Sequence, residues 1–246
     1  MISEQDFISR YRKLKAIRLS GMAEELKKQH ENWESETWSA EERIMKLIDA
    51  EAEMRDSKKF DRLLKSSGIR YKDASVNLNL LESEGVDRAL LERLSEEDWT
   101  QDGKNLLITG KTGAGKTYCA CALAIALMIK FRTVRYFKAG ELLRILQNAE
   151  SRQELTQELN KLSRYDLLIV DDFGLMNLSM EMCRNLFELI DIRDGRKSNI
   201  FISQFPVSEW YELFKDNTYA DACLDRLTGG ACRLEFLGES MRRIKA

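Results

Sequence analysis

Residues 105–117 read NLLITGKTGAGKT, in which a short apolar run is followed by a glycine-rich turn that ends in Lys-Thr. The turn matches G-x-x-x-x-G-K-[ST] at Gly110, Gly115, Lys116 and Thr117, with a predicted strand before it and a predicted helix after it. Such a turn presents successive backbone N–H groups and the positive end of a helix dipole to an anion. The stretch therefore predicts a loop that cradles the phosphates of a nucleotide.

Two side chains of this loop have expected tasks. Lys116 is expected to reach the β- and γ-phosphates of ATP, and Thr117 is expected to be a ligand of Mg²⁺. The full predicted ATP-binding set is Gly110, Lys111, Thr112, Gly113, Ala114, Gly115, Lys116 and Thr117. The alternative is a tight strand-to-helix turn that binds nothing. The agreement of all the defining residues with their flanking elements favours the nucleotide site.

The chain from residue 104 onward alternates short apolar strands with helical stretches. We predict strands at residues 105–109, 133–138, 166–170, 199–204 and 232–237. This alternation is typical of a parallel sheet with helices on both faces. Residues 104–246 are therefore expected to form an α/β core around the loop.

The first 70 residues are predicted to form a small helical domain. Apolar residues recur at the spacing of one helix face, at Phe7, Tyr11, Leu14 and Ile17. Gly21 indicates a turn or bend after them. A later helix is predicted to begin at the S-x-x-E capping box of Ser39 and Glu42 and to end at Gly68. Residues 71–103 are interpreted as a polar connector with one short helix near residues 87–95.

The net charge of -2 predicts no global attraction to nucleic acid, so a polyanion site would have to come from local clusters. One cluster has five basic residues and no acid, at Arg10, Arg12, Lys13, Lys15 and Arg18. Another spans residues 58–72, with six basic residues against Asp61 alone. Charge alone slightly favours solvated helix faces over a binding surface for both clusters.

Cysteine and histidine usage excludes several classes of site. The five cysteines are odd in number and lack C-x-x-C spacing, which argues against a disulfide framework or a zinc site and for a reducing cytoplasm. His30 is the only histidine, so a histidine-based metal cluster or catalytic triad is excluded. The first residues have no apolar signal region, and the longest apolar run is too short for a membrane span, so no membrane association is expected.

Two further strands end in polar residues of the kind that surround a nucleotide. In YDLLIVDDFG, four apolar residues precede Asp171 and Asp172, the position where a P-loop protein holds magnesium and orients the attacking water. In SNIFISQF, Ser203 and Gln204 stand at the carboxyl end of a strand, where ligands of open α/β sheets bind. Either could bond the γ-phosphate or the water, and an ordinary polar strand end is nearly as compatible with the pattern.

The stretches GKTGAGKT, LLIVDDFG, ISQFPVSEW, CLDRL and LEFLGESMRR, in this order, resemble the ATPase core of the IstB-like transposition helper proteins. These belong to the AAA+ branch that includes the DnaC and DnaA replication ATPases. LKAIRLSGMAEEL resembles the helical N-terminal segment of the same family, so the likeness covers nearly the whole chain. It implies a P-loop AAA+ fold of three layers, with a helical N-terminal domain and without a large lid domain.

The resemblance also implies roles for individual residues. It places Asp171 at the magnesium position, Asp172 at the water-activating position, Gln204 at sensor 1 and Arg226 at the arginine finger, with Arg242 matching a sensor 2 arginine. The family more often has Glu where Asp172 stands and Asn where Gln204 stands. An ordinary surface or helix-capping arginine is the alternative for Arg226.

The function implied by the resemblance is that of an ATPase which binds double-stranded DNA, forms a homo-oligomer when ATP is bound, and delivers target DNA to a partner transposase. Its cofactors would be ATP and Mg²⁺. A DnaC-like loader of a replicative helicase is the alternative, in which the N-terminal helices hold a helicase. A metabolic P-loop kinase fits less well, because the extra residues form an N-terminal helical domain in place of an arginine-rich lid.

Overall fold

The computed structural model describes residues 4–239, apart from the side chain of Glu36. The chain divides into two compact units, Met1–Arg62 and Leu63–Ala246. Ten α-helices are described in these residues, α1 to α10 in chain order: Glu4–Ala16, Ser20–Glu31, Ala40–Ser67, Leu78–Leu81, Arg88–Glu96, Lys116–Ile129, Ala139–Ser151, Leu155–Ser163, Met180–Arg193 and Asn217–Thr228. Five strands, β1 to β5, are Leu106–Gly110, Val134–Lys138, Leu167–Phe173, Ser198–Ser203 and Cys232–Phe236.

The first unit is helical, as predicted from its apolar spacing. The predicted capping box at the start of α3 is confirmed: the backbone N–H of Ser39 donates to Glu42 Oε2 at 2.7 Å. The N–H of Glu42 donates in return to Ser39 Oγ at 3.2 Å. The predicted end of this helix is also confirmed, because α3 ends at Ser67 and Gly68 follows with φ +73°.

The turn predicted at Gly21 is wrong by a few residues. The chain turns between α1 and α2, where Arg18 has φ +63°, and Gly21 lies inside α2. A side chain at Gly21 would place its Cβ 2.3 Å from the carbonyl oxygen of Ala50 in α3. The backbone N–H of Gly21 also donates to Glu51 Oε2 at 2.7 Å. Glycine is required here because two helices cross closely.

The second unit contains the predicted parallel sheet. All neighbouring strands are parallel, in the order β2-β3-β4-β1-β5. Helix α6 contacts four strands, β1 to β4, and α5 packs against α6. The other face of the sheet joins α7, α8, α9 and α10 in one apolar core, to which the strands contribute Leu107, Phe137, Leu168, Val170 and Phe201. Helices thus cover both faces of the sheet, in three layers.

The segment 71–103 contains more structure than its sequence indicates. The short helix predicted near residues 87–95 is confirmed as α5, while α4 and a 3-10 turn at Trp99–Asp102 were not predicted. Five apolar side chains of this segment are buried, those of Ala74, Leu80, Leu91, Leu94 and Trp99. The segment lies entirely within the second unit.

A buried polar network connects neighbouring strands at the edge of the sheet where the strands begin. The Arg193 side chain is fully buried and donates to Asn199 Oδ1 and to the carbonyl oxygens of Ser198, Leu162 and Tyr165. Asn105, just before β1, accepts from the side-chain nitrogen of Asn199 at 2.9 Å. This network fixes the starts of β1, β3 and β4 relative to one another. Within residues 4–239, no helix combines the length and apolar character needed to cross a bilayer.

Candidate nucleotide site

The loop between β1 and α6 has the conformation that its glycines allow. Gly110, Gly113 and Gly115 have φ values of +136°, +84° and +102°. A Cβ at Gly110 would lie 2.1 Å from the carbonyl oxygen of Phe236 on β5, so no larger residue fits there. Helix α6 begins at Lys116, and the first N–H groups of a helix have no partner within that helix. The loop and the helix together form the concave, donor-rich surface that binds a phosphate.

The Lys116 side chain lies inside this loop. It is only 7% exposed. Its Nζ donates to the carbonyl oxygens of Gly110, at 2.5 Å, and of Lys111, at 2.8 Å. Burial lowers the pKa of Lys116, and the nearby carboxylates of Asp171 and Asp172 act in the opposite direction. The ammonium is therefore held by loop carbonyls at the place where a bound phosphate would offer stronger acceptors.

The fold brings Thr117 and Asp171 together across 54 positions of sequence. Thr117 Oγ1 donates to Asp171 Oδ2 at 2.8 Å, and the Asp171 side chain lies at the end of β3, where the residue is 3% exposed. A hydroxyl and a carboxylate are hard oxygen ligands of the kind that Mg²⁺ takes. The donor set at this point of the site thus fits the predicted cation.

Asp172 occupies an irregular position in β3. The register between β3 and β4 shifts between Val170 and Phe173, and Asp172 has φ +59°. Aspartate is among the few non-glycine residues that favour the left-handed region. The side chain is partly exposed and pairs with Lys138, whose Nζ lies 3.0 Å from Asp172 Oδ2. The second carboxylate therefore has a partner on β2 and is more exposed than the carboxylate of Asp171.

The two polar residues after β4 differ in their surroundings. Ser203 is buried, donates to the carbonyl oxygen of Phe173 at 2.7 Å, and accepts from the N–H of Phe205 at 3.1 Å. Ser203 therefore holds the ends of β3 and β4 together. Gln204 is exposed and follows the strand that lies between β3 and β1, at the same edge of the sheet as the loop.

Arg226 does not join the other predicted residues. Its guanidinium pairs with Asp191 of α9 at 2.8 Å and lies over the Phe187 ring, 4.9 Å from the ring centre. Its carbonyl oxygen accepts from Asn105, at the start of β1, whereas the phosphate loop follows the end of β1. A strand of this length spans roughly 16 Å. Arg226 thus lies at the edge of its own sheet opposite the phosphate loop. Arg242, the other arginine predicted for the site, lies outside the described residues.

Two residues of β2 were missed by the sequence analysis. Tyr136 donates to Asp171 at 2.7 Å, and Lys138 pairs with Asp172. They are two positions apart, so their side chains leave the same face of the strand. The only signal in the sequence is this polar alternation in VRYFK, and it acquires meaning once β2 is known to pair with β3.

Comparison with known proteins identifies relatives over most of the chain. The family model described as IstB-like ATP binding protein matches residues 12–246. The y4uH protein of Sinorhizobium fredii carries the name of an insertion sequence ATP-binding protein; it is 36% identical over 232 residues, 94% of each chain. The IS1162 protein of Pseudomonas fluorescens, with the same kind of name, is 36% identical over 79% of this chain and 85% of its own.

Solved structures share the fold of a large part of the chain. The DnaC helicase loader aligns with a TM-score of 0.55 at 17% identity, over 71% of this chain and 98% of its own. AMPPCP-bound DnaA from Aquifex aeolicus aligns with a TM-score of 0.51 at 19% identity, over 63% of this chain and 47% of its own. These likenesses identify the predicted P-loop AAA+ architecture of the sheet and its helices.

Proposed function

The chain belongs to the family of IstB-like ATP-binding proteins, and from that membership we propose that it is an ATP-hydrolysing, DNA-binding assembly factor for transposition. It binds double-stranded DNA, forms an oligomer when ATP is bound, and stimulates a partner transposase. The observation that carries the proposal is the convergence of Lys116, Thr117 and Asp171 at one edge of the sheet. The insertion sequence names of the relatives support the link to transposition.

Each residue of the site has a place in the proposed reaction. Lys116 exchanges its loop carbonyls for the β- and γ-phosphates of ATP. Thr117 and Asp171 hold Mg²⁺, which supplies positive charge to neutralise the phosphates when it is bound. Asp172 orients the attacking water, and Gln204, at the same edge, senses the γ-phosphate. Arg226 acts in trans as an arginine finger, because its position at the far edge of its own sheet favours contact with the nucleotide of a neighbour.

Asp172→Asn should separate ATP binding from ATP hydrolysis. The amide keeps the size of the side chain and leaves Asp171 as the metal ligand, but it cannot accept a proton from water. We expect nucleotide affinity close to wild type and hydrolysis slower by about 10²-fold or more. Phosphate release and equilibrium binding of a fluorescent ATP analogue measure the two quantities. An unchanged hydrolysis rate would assign water activation to a different residue.

Basic clusters on the helices supply the proposed contacts to DNA. In the first cluster Arg10, Arg12, Lys13 and Arg18 are exposed, whereas Lys15 pairs with Glu24 at 2.6 Å. The basic residues of the 58–72 cluster are exposed as well. Contacts of this type go to backbone phosphates and carry little sequence information. The proposed binding is therefore tolerant of DNA sequence.

DNA binding in the presence of ATP should depend steeply on salt. Each phosphate contact releases condensed counterions, so with six or more contacts the affinity should fall by roughly 10³-fold or more between 50 and 200 mM salt. Fluorescence anisotropy with duplexes of several unrelated sequences measures both the slope and the sequence tolerance. A flat salt response, or strong preference for one short sequence, contradicts the proposal.

The helicase-loader alternative predicts a different protein partner. The identity to insertion sequence proteins extends over 94% of the chain, whereas the likeness to DnaC concerns the fold alone, and this difference favours the transposase. A pull-down with the tagged chain and ATP, offered a cognate transposase and a replicative helicase separately, distinguishes the two. Retention of the helicase alone would replace the transposition proposal with the loader.

A further inference from the structure

Tyr136 is a partly buried tyrosine on the strand beside the acidic pair. Its hydroxyl donates to Asp171 Oδ2 at 2.7 Å. Thr117 Oγ1 donates to the same oxygen at 2.8 Å. The backbone N–H of Asp172 donates to the other oxygen, Oδ1, also at 2.8 Å. Three donors from three segments of the chain thus converge on one buried carboxylate.

The number of donors limits what Asp171 can still accept. An ionised carboxylate offers about four lone-pair positions, two on each oxygen. Thr117 and Tyr136 use both positions of Oδ2, and the N–H of Asp172 uses one position of Oδ1. One acceptor position is left, on Oδ1. The carboxylate cannot rotate to offer another without breaking the bond from Tyr136.

The position of Tyr136 suits it to orient this carboxylate. Tyr136 lies on β2, which pairs in parallel with β3, so its hydroxyl reaches Asp171 from the neighbouring strand. The bond of 2.7 Å from this hydroxyl holds the carboxylate of Asp171 in one orientation.

We infer that Tyr136 is a positioning residue for the cation: it locks Asp171 so that one oxygen stays with Thr117 and a single position on the other oxygen serves Mg²⁺ or its water. The inference rests on the proposed ATP and Mg²⁺ function of the site. It assigns to β2 a part in metal binding, whereas α6 and β3 supply the ligands Thr117 and Asp171. Partners that orient metal ligands commonly contribute 10–100-fold to metal affinity.

Tyr136→Phe tests this role because it removes the hydroxyl and keeps the ring. The probe is a fluorescent, non-hydrolysable ATP analogue, titrated with Mg²⁺ at fixed nucleotide. We expect the Mg²⁺ concentration that gives half of the maximal increase in analogue affinity to rise about tenfold or more. Affinity for the analogue in EDTA should stay at the wild-type value. Tyr165→Phe, which removes a tyrosine hydroxyl just before β3, is the matched control and should behave as wild type.

A second background separates positioning from a general structural effect. In an Asp171→Asn chain the proposed target of Tyr136 is altered, so adding Tyr136→Phe should shift the Mg²⁺ titration no further. A tyrosine that only supports the fold would produce its shift in both backgrounds and would lower nucleotide affinity in EDTA. Thermal unfolding without nucleotide verifies that each variant is folded.

The possible results distinguish the inference from the function on which it rests. Suppose that Mg²⁺ raises the affinity of the wild-type chain for the analogue and that Tyr136→Phe gives the same Mg²⁺ titration. That result overturns the inference alone. If the nucleotide affinity of the wild-type chain does not depend on Mg²⁺, the proposed metal site is wrong, and the inference with it. A tenfold shift that disappears in the Asp171→Asn background supports both.

Discussion

Lys116→Ala should lower ATP affinity by roughly 30-fold to 5 × 10³-fold and abolish stable, ATP-dependent DNA binding. Removing one partner of a buried, hydrogen-bonded charge pair costs about 2–5 kcal/mol, which corresponds to a loss of this size. The bound phosphates would keep the N–H groups of the loop but lose the only ammonium that lies inside it among the described residues. Anisotropy titrations with a labelled ATP analogue and with a labelled duplex measure both effects.

The fold itself should tolerate this substitution. Without nucleotide, the bonds of Lys116 to two loop carbonyls and its attraction to Asp171 and Asp172 are opposed by the cost of burying its charge, which lowers its pKa. Thermal unfolding of the nucleotide-free variant should therefore remain near wild type. Lys104→Ala, at an exposed lysine before β1, is the matched control for removing a positive charge and should bind ATP normally. If a Lys116→Ala chain binds DNA tightly but has no measurable ATP affinity, the result contradicts the proposed coupling between ATP binding and DNA binding.

Arg226→Ala should reduce ATP hydrolysis by about 10³-fold or more while leaving nucleotide binding intact. An arginine finger stabilises the charge that develops on the transferred phosphoryl group, so its loss affects the rate and not the affinity. In its own subunit Arg226 pairs with Asp191 at the edge opposite the phosphate loop. The proposal therefore requires the finger to serve the site of a neighbour.

Mixing two inactive variants tests that requirement directly. Arg226→Ala retains a complete nucleotide pocket, and Lys116→Ala retains the finger but cannot use ATP. An equimolar mixture should recover a fraction of wild-type hydrolysis wherever the pocket of one variant meets the finger of the other. Sedimentation must show that mixed assemblies form. If they form and hydrolysis does not return, Arg226 does not act between subunits.

A further variant separates catalysis from packing at Arg226. If the arginine only ties α10 to α9 through Asp191, then Asp191→Asn should reproduce the defect of Arg226→Ala. If it is a finger, Asp191→Asn should leave hydrolysis close to wild type or higher, because the guanidinium is then free to leave α9. Thermal unfolding of both variants measures what the ion pair contributes to stability.

The sequence predicts the sheet well because its strands are short apolar runs with clear ends. The bounds of β1 and β2 agree with the predicted strands within one residue. Strand β3 extends to Phe173, beyond the predicted end at residue 170. The prediction stopped there because a charged residue such as Asp171 usually marks the end of a buried strand. That charge is tolerated inside because Thr117 and Tyr136 donate to it, and such tertiary partners are invisible in a linear pattern.

Placement across the sheet is what the sequence alone leaves open. The phosphate loop and the acidic pair are recognisable because each has a local signature. The strand order is not local, so neither the link from Tyr136 to Asp171 nor the distance of Arg226 from its own loop follows from spacing. The turn misassigned to Gly21 has the same origin, because glycine for close helix crossing and glycine for a turn look alike in sequence.

The buried network of Asn105, Arg193 and Asn199 has a consequence for how variants of this chain would be classified genetically. It lies where the strands begin, whereas the residues of the nucleotide site lie where they end. Damage at the first edge leaves buried polar atoms without partners and so lowers the amount of folded chain. Substitutions at the second edge leave the chain at normal abundance but remove its activity. A screen that records protein level beside activity would therefore map the two edges as separate classes of allele.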